Sequence, residues 1–368
     1  MLSLGEDMKK LLLRTAAILV AAVLFIEPVG AVSAQRAIVL DAATGRVLYE
    51  RNADEQSLIA STTKIMTALI VCQQCNVLDR VKIPKEAVGV EGSSMYLQEG
   101  EVLTVQELLY GLMLRSGNDA AAALAIWCGG TIDGFAERMN DKARELGLKG
   151  THFVNPHGLD APDHYSTARD LAVLTAYAMN DPIFARTVGV KTVTVGERIL
   201  TNHNKLLWQL TGCEGVKTGY TKAAGRILVS SASRQGRRLI CVTINAPDDW
   251  NDHKALLEEG FSGYQVRELV TEGEVLGYRH ILGGDGTHVP LVAAEGFSYA
   301  LAEGEEPEIV LSPQYFSYAP VTAAAAEGCA YAVLDGQVIG QIGLVWGTSL
   351  DETQEKERTL LERLFGGI

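Results

Sequence analysis

Runs of β-type residues stand at both ends of a long stretch of helical periodicity, and this order restricts the fold more than any other feature of the chain. Residues 37–40 and 47–49 are short β runs around Asp41-Ala42-Ala43-Thr44-Gly45, a turn sequence containing glycine. Apolar residues then recur at helical spacing over 105–114, 119–127, 132–146 and 167–179. Strand patterns return from about residue 192, where 227–232 and 239–244 are set to pair across 234–237, and a helix over 253–264 closes the region. Strands at both ends with helices between them predict one discontinuous α/β domain, a mostly antiparallel sheet with a helical insertion.

The character changes past about residue 266. Gly-separated β runs dominate, and Asp335-Gly336 between two β runs is a strong hairpin signal. Residues 267–346 are therefore expected to form a small β-rich domain without chemistry of its own. At the other end, Lys9, Lys10 and Arg14 precede a continuous apolar run over 16–26, and Val32-Ser33-Ala34 offers small residues for cleavage. This is a secretory signal pattern, so 1–34 is expected to be removed and the protein exported. The run is shorter than the ~20 residues that a transmembrane span needs. In the tail, 347–368, Leu360, Leu361, Leu364 and Phe365 form an apolar stripe at helical spacing. Such a stripe could touch a membrane peripherally as an amphipathic helix, although 351–363 carries more acid than base.

A net charge of −13 argues against nucleic acid as a partner. Six cysteines in 368 residues are too sparse for a disulfide scaffold. Cys72 and Cys75 have metal-pair spacing, but no second close pair of Cys or His completes a tetrahedral site, and no metal or cofactor is expected.

The chemistry-bearing residues fall in three short elements. Ser61-Thr62-Thr63-Lys64 leads into Ile65-Met66-Thr67-Ala68-Leu69-Ile70-Val71, which reads as a buried helix. Helical spacing brings Ser61 and Lys64 to one face. A serine hydroxyl becomes a nucleophile when a neighbouring base takes its proton, and an amine can do so once burial or nearby positive charge lowers its pKa. Taken alone, the tetrapeptide fits equally an N-capping serine and a solvated lysine. Ser116-Gly117-Asn118 lies between two predicted helices, where an ordinary N-cap would give the same sequence. Lys217-Thr218-Gly219-Tyr220 reads as a short strand on which a lysine would usually be a solvated edge residue. A fourth stretch, Asn155-Pro156-His157-Gly158-Leu159-Asp160, reads as a structured turn.

In this order, Ser-x-x-Lys, Ser-x-Asn and Lys-Thr-Gly resemble the signature of penicillin-binding proteins and class A β-lactamases. With Gly117 in the middle element, the chain resembles the D-alanyl-D-alanine carboxypeptidases among the low-molecular-mass penicillin-binding proteins. The resemblance is carried further by Gly92-Ser93-Ser94-Met95, 108–119, 155–160, 166–172 and 215–225, and it covers about 37–263. It implies a penicillin-binding/serine β-lactamase-like catalytic domain over 35–266. The implied reaction removes the terminal D-Ala from peptidoglycan stem peptides ending in D-Ala-D-Ala, with β-lactams as covalent inhibitors. Ser61 would be the nucleophile, Lys64 its base and Ser116 a proton relay. Asn118, Lys217, Thr218, Gly219 and Tyr220 would bind substrate. Lys217 and Thr218 would hold its free carboxylate, and Asn118 would offer its amide to the substrate backbone or to Lys64. The backbone N–H groups of Ser61 and Tyr220 would stabilise the oxyanion.

Three other readings use the same residues. A class A-like β-lactamase would deacylate with a Glu, but Glu137, Glu145, Glu197 and Glu214 all fall outside loops of the helical region. A Ser–His–Asp enzyme could draw on His157, His164 and Asp160, but no Gly-x-Ser-x-Gly elbow surrounds Ser61, so these histidines are expected to hold a loop together. A non-catalytic cell-wall-binding protein on the same fold would not need the complete set of motif residues.

Overall fold

The computed structural model describes residues 32–313 and 316–353. The chain divides into two compact units between Phe261 and Ser262.

The first unit is built on a five-stranded antiparallel sheet, with helices on one face inserted between its second and third strands. Its strands are β1 (Arg36–Asp41), β2 (Val47–Arg51), β7 (Cys213–Thr221), β8 (Gly225–Arg234) and β9 (Arg237–Ile244), in the order β2-β1-β9-β8-β7. Short ribbons lie between, β3 (Arg80–Lys82) with β4 (Val102–Thr104) and β5 (Thr192–Val195) with β6 (Arg198–Thr201). The hairpin of β8 and β9 closes at Gln235-Gly236, both at positive φ, as a two-residue turn that follows the twist of its strands requires. Strand alternation assigns the two faces. Ile38, Leu40, Val229 and Ile240 point into the helical core, whereas Ala37, Val39, Leu228 and Cys241 point to the opposite one.

The helical core is formed by α1 (Lys64–Gln74), α2 (Val105–Leu114), α3 (Asn118–Gly129), α4 (Ile132–Glu145), α5 (Ala168–Ala178) and α6 (Pro182–Gly189). Their starts follow from local chemistry. Thr104 and Glu107 make a reciprocal capping box on α2, Thr167 caps α5, and Asp181 with Pro182 opens α6. A single turn, α7 (Leu206–Gln209), precedes β7. On the far face of the sheet, α8 (Asp249–Ser262) places Leu256 and Leu257 against Val39 and Leu239.

Val32 and Ala34, which the sequence pattern assigns to the end of a leader, are buried on that same face. The Ser33 N–H and Oγ both donate to the Asp252 carboxylate, at 2.9 and 2.7 Å. The remainder of the expected leader lies outside the described residues.

In the second unit a six-stranded sheet has the order β14-β16-β17-β12-β11-β15. It comprises β11 (Val275–Leu282), β12 (His288–Ala293), β14 (Glu308–Leu311), β15 (Phe316–Tyr318), β16 (Ala326–Leu334) and β17 (Gln337–Trp346), and β10 (Tyr264–Val270) pairs separately with β13 (Phe297–Ala302). The expected hairpin at Asp335-Gly336 joins β16 to β17. Residues just past the expected domain end stay with this unit, because Leu350 bridges Val321 and Glu352 bridges Gly284. The apolar stripe of the tail lies outside the described residues.

Candidate active site

Ser61 does not stand in the first turn of an α-helix, as its spacing from Lys64 predicts, but in a 3₁₀ turn (Ala60–Thr63) that runs directly into α1. Residues three apart eclipse in a 3₁₀ turn, so Ser61 and Lys64 still share a face. The turn is tied by its own side chains: Thr62 Oγ1 donates to the Ile59 carbonyl at 2.5 Å and Thr63 Oγ1 to the Ala60 carbonyl at 2.8 Å. Two glycines let neighbouring backbone close on it. A Cβ on Gly158 would stand 1.8 Å from the Ala60 carbonyl oxygen, and one on Gly219 would stand 3.3 Å from the Ile59 carbonyl oxygen. The Asn155–Gly158 turn and strand β7 thus clasp Ser61 from two sides.

Lys64 is fully buried. Its Nζ donates to Ser61 Oγ at 3.0 Å, Asn118 Oδ1 at 2.7 Å and the His157 carbonyl at 2.5 Å. Three acceptors match the three protons of an ammonium, which therefore holds one fixed orientation. Burial, and next the charge of Lys217, pull the Lys64 pKa well below that of an ordinary lysine. The neutral amine is then accessible, with its lone pair beside the Ser61 hydroxyl.

Each acceptor is itself positioned. Asn118 opens α3, and its Nδ2 donates to the Glu91 carbonyl at 2.5 Å while its backbone N–H donates to the Ser93 carbonyl at 2.7 Å. The neighbouring Asp119 carboxylate accepts from Ser94 Oγ and the N–H groups of Met95 and Leu97, which pins 91–97 to the start of α3. Sequence reasoning gives Asn118 two partners, the substrate backbone and Lys64. In the structure its carbonyl end meets Lys64, as expected, its amide end meets the Glu91 carbonyl, and it is not among the residues that line the cavity. The His157 carbonyl is set by its turn, in which Asn155 Oδ1 accepts from the N–H groups of His157 and Gly158.

The histidines hold the loop, as expected. The Val154 N–H donates to His164 Nδ1 at 3.1 Å, which leaves the Nε2 proton for Thr63 Oγ1 at 2.7 Å. Burial lowers His164 to about 4 and His157 to about 3, so both are neutral props.

Ser61, Ser116, Thr218, Gly219 and Tyr220 meet around one cavity of about 310 Å³. Ser116 stands at φ +60°, a strained conformation for a non-glycine residue, and is nearly buried. Lys217 does not reach this cavity. Its side chain lies on the buried face of β7, 1% exposed, where Nζ donates to the Thr218 carbonyl at 2.8 Å and burial lowers its pKa to about 7. Lys217 thus lies on the helical-core face of β7, the face that Gly219 turns toward the Ser61 turn, and its charge acts on Lys64, while Thr218 lines the cavity itself.

Sequence reasoning did not find His203, Arg226, Asp249 and Trp250, which also line the cavity. Arg226 pairs with the buried Asp249 at 2.6 Å and lies over the Trp250 ring, giving the cavity an exposed cation. The signal was in the β7–β8 register, which sets Arg226 opposite Tyr220. Among the described residues, no group of three or more His, Cys, Asp or Glu side chains could hold a metal ion.

A nucleophile-base pair, a second buried serine and a cationic rim is the equipment of an acyl-transfer hydrolase. The profile of the D-alanyl-D-alanine carboxypeptidase family matches residues 24–248. The chain belongs to this family. The carboxypeptidase is a serine-type hydrolase, and its second unit, over 264–352, matches the C-terminal domain of penicillin-binding protein 5. It is 33% identical over 286 residues to the D-alanyl-D-alanine carboxypeptidase DacF of Bacillus subtilis, covering 74% of each chain. It is 36% identical over 290 residues to DacC of Escherichia coli, covering 74% of this chain and 72% of that one. Among solved structures, penicillin-binding protein 5 from Haemophilus influenzae superposes with a TM-score of 0.77 at 30% identity, covering 87% of this chain and 98% of that one.

Proposed function

We propose that this carboxypeptidase is exported, works outside the cytoplasm, and removes the terminal D-Ala of peptidoglycan stem peptides through an acyl-enzyme on Ser61. The observation that carries the reading is the buried Lys64 amine, 3.0 Å from Ser61 Oγ and with its pKa driven down. As Ser61 Oγ attacks the penultimate D-Ala carbonyl, Lys64 takes the hydroxyl proton. Ser116 passes a proton to the departing D-Ala amine, and the C–N bond breaks. Water then hydrolyses the ester and regenerates both residues. The backbone N–H groups of Ser61 and Tyr220 hold the oxyanion, a contact whose loss typically costs about 3 kcal/mol of transition-state energy. Thr218 meets the substrate carboxylate, and the buried Lys217 beside it adds positive potential.

Benzylpenicillin presents an acyl group, activated by ring strain, with a carboxylate placed as in the peptide, and acylates Ser61. Deacylation is slow because the candidate Glu residues stand away from the cavity. Glu137, Glu145 and Glu197 are exposed, and Glu214 is bound to Arg238 and Ser231. Export follows from the basic and apolar leader, and peripheral membrane contact from the apolar stripe of the tail. Deleting 354–368 tests that contact by moving the protein from membrane to soluble fractions. The central test is a mass spectrum of a stem pentapeptide after incubation with the purified protein. Loss of one alanine, absent with Ser61→Ala, is expected. An intact pentapeptide would overturn the assignment.

A further inference from the structure

Two thiols outside the site stand at the far ends of the helices that build it. Cys75 caps the C-terminus of α1, whose first residue is Lys64, and Cys128 lies in the last turn of α3, whose first residue is Asn118. Each thiol is the largest influence on the other's pKa, which places the two side chains beside one another. Cys128 Sγ also lies 3.6 Å from Gln74 Oε1, and Arg138 of α4 donates to that same oxygen at 2.9 Å with its guanidinium 4.0 Å from Cys128 Sγ. Both cysteines are reduced in the structure and only half-buried, so a reagent can reach them.

We propose that Cys75 and Cys128 are an oxidation site that closes to a disulfide in an oxidising compartment and ties α1 to α3 at the ends opposite the catalytic residues. The export reading supplies the compartment. The chemistry of the pair does not depend on it.

The two sulfurs are unequal. Its neighbour Cys75, and then the Arg138 guanidinium, bring the Cys128 pKa down to about 7, while Cys128 and burial raise that of Cys75. Cys128 is therefore the attacking thiolate. It displaces one thiolate from a small disulfide or a disulfide-bearing oxidoreductase, and the S–S bond of that oxidant breaks. Cys75 then loses its proton and attacks Cys128 Sγ, expelling the second thiol. The two protein sulfurs lose two electrons, the oxidant disulfide gains them, and both protons end on the released thiols. The other cysteines are poor competitors: burial raises Cys72 to about 12, Cys213 to about 11 and Cys241 well above the usual thiol value. Cys329 belongs to the second unit.

The closed loop spans 75–128, so the bridge stabilises the fold chiefly by restricting the unfolded chain. The test treats the purified full-length protein with glutathione disulfide, alkylates it after denaturation and maps the peptides. A linked Cys75–Cys128 peptide is expected in the wild type, with a Tm about 5–10 °C above that of the reduced protein. Cys75→Ser should stop at one glutathione adduct on Cys128. Alkylated, unlinked Cys75 and Cys128 in the treated wild type, or a bridge from Cys75 to Cys72, would overturn the proposal.

Discussion

Replacing Gly158 by alanine puts a methyl group where the Asn155–Gly158 turn touches the Ser61 turn. The new Cβ would lie 1.8 Å from the Ala60 carbonyl oxygen and 2.8 Å from Thr63 Oγ1, whereas real contacts of this kind do not fall below 3.0 Å. The two turns must separate by about 1 Å. The displacement falls on the neighbouring His157 carbonyl, one of the three acceptors that orient Lys64. A misplacement of about 1 Å costs about 100-fold in rate, or about 2.7 kcal/mol of transition-state energy. Independently, a non-glycine residue at φ +86° costs about 1–2 kcal/mol of stability. Gly236→Ala separates the two effects, because Gly236 has φ +81° but nothing within 4 Å of its Cβ. Release of D-Ala from a stem pentapeptide gives the rate, and thermal unfolding gives the stability. Gly158→Ala should lose about 100-fold in kcat/KM. Gly236→Ala should lose only a few degrees of Tm at full activity. A Gly158→Ala enzyme within about threefold of wild type would refute the claim that this contact sets Lys64.

Intact-protein mass spectrometry with benzylpenicillin should show one long-lived penicilloyl adduct in the wild type and none in Ser61→Ala; rapid turnover without an adduct would favour a β-lactamase. Lys217 is the second cause, after burial, of the low Lys64 pKa. Lys217→Met should therefore move the acidic limb of the kcat/KM profile to higher pH, and an unmoved limb would remove that coupling. His253 is buried between Ser230 Oγ and Thr243 Oγ1, with its pKa lowered to about 3. A histidine that the fold keeps neutral contributes full stability above its unfolded pKa of about 6.5, and that stability is lost as pH falls from there toward about 3. His157, His164 and His203 act in the same direction. The urea midpoint should decline steadily below about pH 6.5, less steeply in His253→Asn; a flat midpoint down to about pH 4 would count against this linkage.

Much of the architecture was legible because it rests on local periodicity. The helices over 105–114 and 132–145 and the β8–β9 hairpin lie where apolar spacing and turn residues put them. The small ribbons and α6 were harder to read, since strands of three or four residues and an eight-residue helix are too short for a period to show. Val32 and Ala34, which fit a cleavage site in sequence, pack on the far face of the sheet, where Asp252 accepts from Ser33.

The order of amino acids establishes which chemical groups this protein possesses and how they are spaced: Ser61 with Lys64 one turn away, Ser116 with Asn118, and Lys217 with Thr218 on a strand. Spacing along one element fixes which side chains share a face, so each group was readable alone. Only the tertiary structure decided what the groups do to one another. Lys64 becomes a usable base because α3, the 155–158 turn and β7 converge on it from 54 to 153 residues away, excluding water and supplying its acceptors. The same convergence set Asn118 against Lys64, buried Lys217 on the face of β7 turned toward the helical core, and brought Arg226 to the rim of the cavity. Burial and the direction of a long side chain depend on what packs against it from distant parts of the chain, and no local pattern carries that information.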